Sequence, residues 1–314
     1  MGVALALSAR GRGRTAPNPN VGCVIVRDGV VVGRGWTQPG GRPHAEAMAL
    51  GQAGAAARGA TCYVTLEPCA HDSVRGPACA DLLVAAGVAR VVAALDDPDP
   101  RTAGRGFARL RAGGIDVSEG VAADAARVAM AGFLTRCAHG RPHVTLKLAT
   151  TLDGAIALAS GESRWITGKA ARAHAHVERA RHDAILVGRG TFDADAPRLD
   201  VRLAGLRHRS PRRILLTRGA GAEGWETIAD PGGIAALDGV DHLLIEGGAR
   251  TAAAFVTAGL VDRLLVYRAP IIVGGGVPAI GDLALASLAD AHGRWRLADA
   301  RQLGSDRMEV YLAA

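Results

Sequence analysis

The sequence predicts an α/β protein of two domains, and three observations carry that prediction. At 314 residues the chain is long enough for two domains of roughly 100–200 residues each. Short apolar runs alternate with helix-like segments, the pattern of a sheet covered by helices on both faces. Near Arg141–Pro142 the pattern stops and restarts, which divides the chain into residues 1–140 and 141–314.

The elements read in order as follows. VGCVIVRDGVVVGRGW is two strands joined by an Asp-Gly turn at Asp28–Gly29, a pair suited to a tight hairpin. Gly40, Gly41 and Pro43 make a loop. HAEAMALGQAGAAARG is a helix ended by Gly59. TCYVTLEP is a strand, ACADLLVAAGV a helix and ARVVAAL a strand. After a polar loop, GRGFARLRAGGIDVSEG supplies a helix and a strand, and AADAARVAMAGFLTRCAHG a closing helix. In the second half HVTLKLATTLDG is strand-like and KAARAHAHVERARH helical. AILVG, RRILLT and HLLIEGG are strands, TAAAFVTAGL is a helix, and DRLLVYRAPIIVG is a final strand pair.

Composition narrows the function. Nearly half the residues are apolar (49%) but only 4% are aromatic, so Ala, Val and Leu must fill the cores. The net charge is +7, and lysine occurs only at Lys147 and Lys169. The arginines are scattered and hardly interleaved with aromatics, so a nucleic-acid groove finds little support. No run is long and apolar enough for a membrane span, and the N-terminal apolar run precedes its arginines, the reverse of a secretory signal. Five cysteines without such a signal point to a reducing cytoplasm. Cys23 and Cys62 read as core residues.

Cys69 and Cys79 read differently. His44-Ala45-Glu46 is followed by Pro68-Cys69 and, ten residues after Cys69, by Cys79. One imidazole and two thiolates make three corners of a tetrahedral zinc site with the fourth open to water. Zinc lowers the pKa of such a water from ~15.7 toward ~7. Glu46, two residues from His44, can move protons there without being a ligand. Nucleobase deaminases share this arrangement. A structural zinc site is the rival reading; it normally has four protein ligands, with His71 the nearby candidate.

The runs around these residues are more specific. NPNVGCVIV (18–26), PHAE (43–46), YVTLEPCAH (63–71) and DDPDPRTAGRGFARLRAGGIDV resemble the riboflavin-biosynthesis family of diaminohydroxyphosphoribosylaminopyrimidine deaminases. The resemblance implies a cytidine-deaminase-like three-layer α/β/α fold. It implies that Asn20 lines the pyrimidine pocket and that His71 and Arg75 approach the substrate. CAHDSVRGPAC is one residue longer between its cysteines than the family's usual segment and lacks its Thr-Pro-Pro.

The second half has no G-x-G-x-x-G after a strand, so a Rossmann site is not supported. Glu246-Gly247-Gly248 instead ends a strand and opens a helix, whose free amides suit phosphate. KLATTLDG (147–154), ASGESRWITG (159–168), GRGTFDADAPRLDVR (188–202) and the run 245–275 resemble the reductase of the same fused family, which implies a dihydrofolate-reductase-like α/β domain. It implies hydrolytic deamination of 2,5-diamino-6-(5-phosphoribosylamino)pyrimidin-4(3H)-one, then NADPH reduction of the ribosyl group of 5-amino-6-(5-phosphoribosylamino)uracil to ribityl. By motif, Ala149, Trp165, Thr191, Asp195 and the turn Gly248, Ala249, Arg250, Thr251, Ala252, Ala253, Ala254 contact NADPH. Ser163, Arg179, Leu199, Arg202 and Glu246 contact substrate, the arginines suiting its phosphate. Lys147 and Asp153, at a strand end, are the candidates for polarising the sugar. The expected cofactors are zinc and NADPH, and the expected partners are phosphorylated pyrimidines and further copies of the chain. A base-editing deaminase leaves residues 141–314 unexplained, and a chain with one degenerate half is the remaining rival.

Overall fold

In the computed structural model, which describes residues 1–71 and 73–314, the backbone folds as two units, Met1–Gly140 and Arg141–Ala314. The first contains helix α1 (Gly2–Ser8), strands β1 (Gly22–Arg27) and β2 (Val30–Trp36), helix α2 (Ala45–Ala53), strand β3 (Thr61–Val64) and helix α3 (Cys79–Ala86). It continues with β4 (Arg90–Ala93), α4 (Arg105–Ala112), β5 (Asp116–Ser118), α5 (Ala123–Ala129) and α6 (Ala131–His139). The sheet order is β2-β1-β3-β4-β5. β1 runs antiparallel to β2 and β3, whereas β3, β4 and β5 are parallel.

The β1–β2 turn forms at Asp28 and Gly29, both with positive φ (49° and 76°), as a type I′ hairpin turn requires. Two glycines then let a helix sit on the backbone of β2. A Cβ on Gly33 would lie 2.2 Å from the Ala49 carbonyl oxygen, and one on Gly35 2.0 Å from that of Ala45. Helix α2, which follows His44 and carries Glu46, is therefore seated at backbone contact. Cys23, Ile25, Cys62, Val64, Leu83 and Val91 are fully buried beneath these elements.

Two helices are shorter than the sequence predicts. α2 ends at Ala53 because Gly54 takes φ 52°, and a 3-10 turn replaces the stretch toward Gly59. The single closing helix is two helices, because Met130 leaves helical geometry (φ −109°, ψ 20°) while its side chain is fully buried.

The second unit contains β6 (His143–Thr150), β7 (Ala155–Ala157), α7 (Lys169–Arg179), β8 (Ala184–Gly188), α8 (Arg189–Asp195), β9 (Arg212–Leu216), β10 (Glu226–Ile228) and β11 (His242–Ile245). It ends with α9 (Ala249–Thr257), β12 (Arg263–Arg268), β13 (Val277–Pro278), β14 (Trp295–Leu303) and β15 (Asp306–Ala313). The large sheet has the order β10-β9-β8-β11-β6-β12-β15-β14. Its strands from β10 to β12 are parallel, and β15 and β14 are antiparallel. β7 and β13 pair separately.

The predicted final strand pair is one strand. The chain leaves the sheet after Arg268 into Ala269–Pro270, and Pro270 has no amide to donate to a ladder. The amides of Val273 and Gly274 go instead to the Asp153 carboxylate. The sheet is completed by the β14–β15 hairpin, whose first strand is mostly exposed and lacks the apolar alternation that marks a strand in sequence. Among the described residues no helix is long and apolar enough to cross a membrane.

Candidate active sites

In the first unit, the junctions before α2 and α3 converge. His44 is the N-cap of α2, and Cys79 is the first residue of α3. Cys69 Sγ lies 3.6 Å and Cys79 Sγ 3.4 Å from His44 Nδ1. A metal with bonds of about 2.0 Å to nitrogen and 2.3 Å to sulfur at tetrahedral angles needs N···S edges of about 3.5 Å. The three side chains therefore fit zinc without rearrangement, and they are the one such group among the described residues. Cys69 is held toward the thiolate, its pKa lowered to about 4 by a hydrogen bond with Cys79 against the effect of burial, with help from His44. The Cys79 amide also donates to Cys69 Sγ at 3.3 Å.

Glu46, in the first turn of α2, is 3% exposed. Burial pushes its carboxyl up to about 7, with His44 pulling down and Cys69 pushing up. A carboxyl balanced near neutrality can both take and return a proton.

The asparagine beside this cluster is Asn18, not Asn20. Asn18 Nδ2 lies 3.0 Å from His44 Nε2 and donates to the Gly41 carbonyl at 3.2 Å. Nδ1 faces the thiolates, which leaves Nε2 as the ring nitrogen turned toward Asn18. Asn20 donates its amide to the Ser8 and Ala129 carbonyls, which ties β1 to α1 and α5. The sequence signal for Asn18 was present in NPN; spacing alone could not say which asparagine turns inward. His71 Nδ1 lies 3.3 Å from Thr102 Oγ1. Arg75 donates to the Gly40 carbonyl at 2.7 Å.

In the second unit, Glu246 follows β11 and meets cations from two other elements. Arg179, at the end of α7, forks onto it with bonds of 2.7 and 2.8 Å, and Lys147 Nζ on β6 lies 3.7 Å away. Burial alone would raise the Glu246 pKa, but Lys147 and Arg179 outweigh it and hold the carboxyl at about 2. Arg179 also donates to the Asp200 carbonyl at 3.2 Å. This fastens the segment that carries Leu199, which is buried with a positive φ of 54°, and Arg202. Arg202 lies 3.6 Å from the Asp200 carboxylate. His176, which the sequence reading passed over, lies on α7 with its Nδ1 3.4 Å from the Arg202 amide.

Asp153 does not bond to this group. Its carboxylate accepts from Thr151 Oγ1 at 2.5 Å and from the Val273 and Gly274 amides, so it braces the turn after β6. Ser163 is half-buried in the loop before α7.

The residues expected at NADPH fall into two groups. Thr191 Oγ1 accepts the Gly248 amide at 3.1 Å, which joins α8 to the start of α9. A Cβ on Gly247 would lie 2.7 Å from Thr251, so the Gly-Gly pair permits this close approach. Ala249, Arg250 and Thr251 form the first turn, whose amides precede the helical ladder. The Ala252 amide already bonds to the Gly248 carbonyl, and Ala252 and Ala253 are buried. The amides that lie ahead of the helical ladder are thus those of Ala249, Arg250 and Thr251, with Ala252, Ala253 and Ala254 behind them. Trp165 is 65% exposed with the Arg172 guanidinium 4.7 Å from its ring. Asp195 pairs with Arg164 at 3.4 Å, and Ala149 stands opposite Tyr267 in the β6–β12 ladder.

Comparison with known proteins agrees with both halves. The family model for the cytidine and deoxycytidylate deaminase zinc-binding region matches residues 1–95. The RibD C-terminal domain matches residues 142–222 and 234–308. The chain is 41% identical to the riboflavin biosynthesis protein RibD of Escherichia coli, over 98% of this chain and 96% of that one. It superposes with a TM-score of 0.90 on Acinetobacter baumannii RibD at 37% identity, covering 100% of this chain and 97% of that one. The TM-score is also 0.90, at 30% identity and the same coverage, for a diaminohydroxyphosphoribosylaminopyrimidine deaminase/5-amino-6-(5-phosphoribosylamino)uracil reductase of Thermotoga maritima. With a zinc-fitting His/Cys/Cys cluster in one half and a reductase domain in the other, this chain belongs to the RibD family of bifunctional deaminase/reductase enzymes of riboflavin biosynthesis.

Proposed function

We propose that residues 1–140 deaminate 2,5-diamino-6-(5-phosphoribosylamino)pyrimidin-4(3H)-one. Residues 141–314 then reduce 5-amino-6-(5-phosphoribosylamino)uracil with NADPH. The observation that carries the reading is the His44, Cys69 and Cys79 cluster, at zinc-like spacing, with Glu46 buried beside it.

His44, Cys69 and Cys79 are the metal ligands in this reading, and bound zinc supplies acidity to water at neutral pH. Glu46 takes a proton from the attacking water and returns protons to the ring nitrogen and the departing amine, so that water enters and ammonia leaves. Asn18 orients His44 and faces the base. His71 and Arg75 approach the substrate from the loop between the cysteines.

In the second half NADPH supplies hydride. The Gly248–Thr251 turn and Thr191 hold its phosphates, and Ala149, Trp165 and Asp195 line its path. Glu246 and Arg179, bonded to each other, contact the substrate as one unit, Arg202 the 5-phosphate, and Ser163 and Leu199 the ribose side. Lys147, 3.7 Å from Glu246, assists proton movement as the ribose ring opens. Asp153 shapes the turn beside it. Hydride goes to the sugar C1′ and one proton is taken up.

The enzyme works in the cytoplasm in this reading, which its free cysteines support. It self-associates, with β14 as an open sheet edge available to a second copy. Incubation with the diamino substrate, with and without NADPH, followed by mass analysis tests the function. Without NADPH one NH is exchanged for one O; with NADPH two hydrogens are added as well. Absence of the first product overturns the deaminase assignment, and absence of the second overturns the reductase assignment.

A further inference from the structure

Two arginines cross between the loops that bracket the His44, Cys69 and Cys79 cluster. Arg75, in the loop between the cysteines, reaches back and donates to the Gly40 carbonyl at 2.7 Å. Arg42, two residues before His44, reaches forward to the Pro77 carbonyl at 3.5 Å. Its Nη1 lies 3.0 Å from where a Cβ on Gly76 would stand. Gly76 has a φ of 142° and no side chain, so the backbone next to Arg75 leaves room for the Arg42 guanidinium. The two side chains therefore bridge the same two stretches, 40–42 and 75–77, in opposite directions.

Each cation is tied to a neutral carbonyl, and among the described residues neither is in an ion pair. Like charges on neighbouring stretches repel, and an anion between them converts that repulsion into attraction. A phosphate monoester dianion suits the place, because guanidinium groups bind phosphate through paired N–H donors. We propose that Arg42, together with Arg75, grips the 5-phosphate of the deaminase substrate and makes this half selective for the phosphorylated pyrimidine. This rests on the deaminase reading above. Arg42 acts on binding alone, since Glu46 and the metal ligands carry the chemistry.

The test measures deaminase KM and kcat with the phosphorylated substrate and with its dephosphorylated nucleoside. Wild type, Arg42→Gln and Arg42→Lys are compared, with inorganic phosphate as a competitor. Arg42→Gln is expected to raise KM for the phosphorylated substrate roughly ten- to hundredfold, the worth of a lost hydrogen bond to a charged group. Its kcat and its KM for the nucleoside stay near wild type, and inhibition by inorganic phosphate weakens in proportion. Arg42→Lys recovers part of the loss by restoring charge without the fork. A wild-type KM in Arg42→Gln overturns the proposal. So does an equal rise with both substrates, which marks a loop tie and no phosphate contact. A wild-type enzyme that deaminates neither compound removes the deaminase reading itself, a result separate from any Arg42 effect.

Discussion

At the scale of single residues, the two candidate sites hold a buried carboxyl in opposite states. Glu246 is buried, yet Arg179 and Lys147 keep it ionised; removing either leaves a buried charge short of a partner, which is costly. At Glu46 burial outweighs the lowering influence of His44, and the carboxyl rises to about 7. The cluster beside it sets the first prediction. Cys79→Ser removes one of three ligand atoms, and a hydroxyl is a far poorer zinc ligand than a thiolate. Metal analysis should find zinc in near-stoichiometric amount in wild type and largely absent from the variant. Full retention in Cys79→Ser would remove Cys79 from the ligand set. His44, Glu46, Cys69 and Cys79 were legible in the sequence because the chemistry requires those residue types at short, ordered spacings. Asn18 was not, because the turn between Pro19 and Gly22 decides which of two nearby asparagines faces His44.

At the scale of elements, helix α2 is placed by glycines. Gly33 and Gly35 on β2 meet the Ala49 and Ala45 carbonyl oxygens at distances no Cβ can share. The contacted atoms are backbone and cannot rotate away, so a side chain here must lift the whole helix. Gly35→Ala should therefore shift His44 and Glu46 together and cost about 1–3 kcal/mol, as overpacking does. The expected signature is a fall in deamination and in the thermal midpoint of the first unit, with reduction of pre-deaminated substrate retained. Deamination at the wild-type rate in Gly35→Ala would show that α2 needs no such seat. The same scale explains what pattern reading missed. β14 is mostly exposed, and it is a strand because β15 pairs with it along its length, with one irregularity between Leu297 and Asp299.

At the scale of the whole molecule, each unit has its own core, so stability can be altered in one and read separately in the other. Arg141 opens the second unit and binds the Asp262 carboxylate through bonds of 2.7 and 2.9 Å, and the Val144 amide adds a third at 2.8 Å. This clamps the start of β6 to the start of β12. Burial would raise the Asp262 pKa, but the Arg141 hydrogen bonds, His143 and the Val144 amide bring it below the ordinary value. A carboxylate with a lowered native pKa contributes stability that is complete above its unfolded pKa of about 3.9 and is lost as pH falls through the native value. Asp262→Asn should thus lower the stability of the second unit by about 2 kcal/mol near neutrality. The gap from wild type should close below about pH 4, while deamination stays unchanged. A gap independent of pH down to unfolding would show that the charge on Asp262 does not matter.

By itself, the sequence determined the α/β class, the restart of the pattern near residue 140 and the chemistry of the metal cluster. These depend on periodicity and on residues close together in the chain, and local spacing is what a sequence displays directly. The tertiary structure decided the partners: Glu246 with Arg179, 67 residues apart, Arg42 crossing Arg75, and β15 closing the sheet against β12. Those contacts form only when packing brings distant segments together, and many sequence spacings satisfy the same geometry.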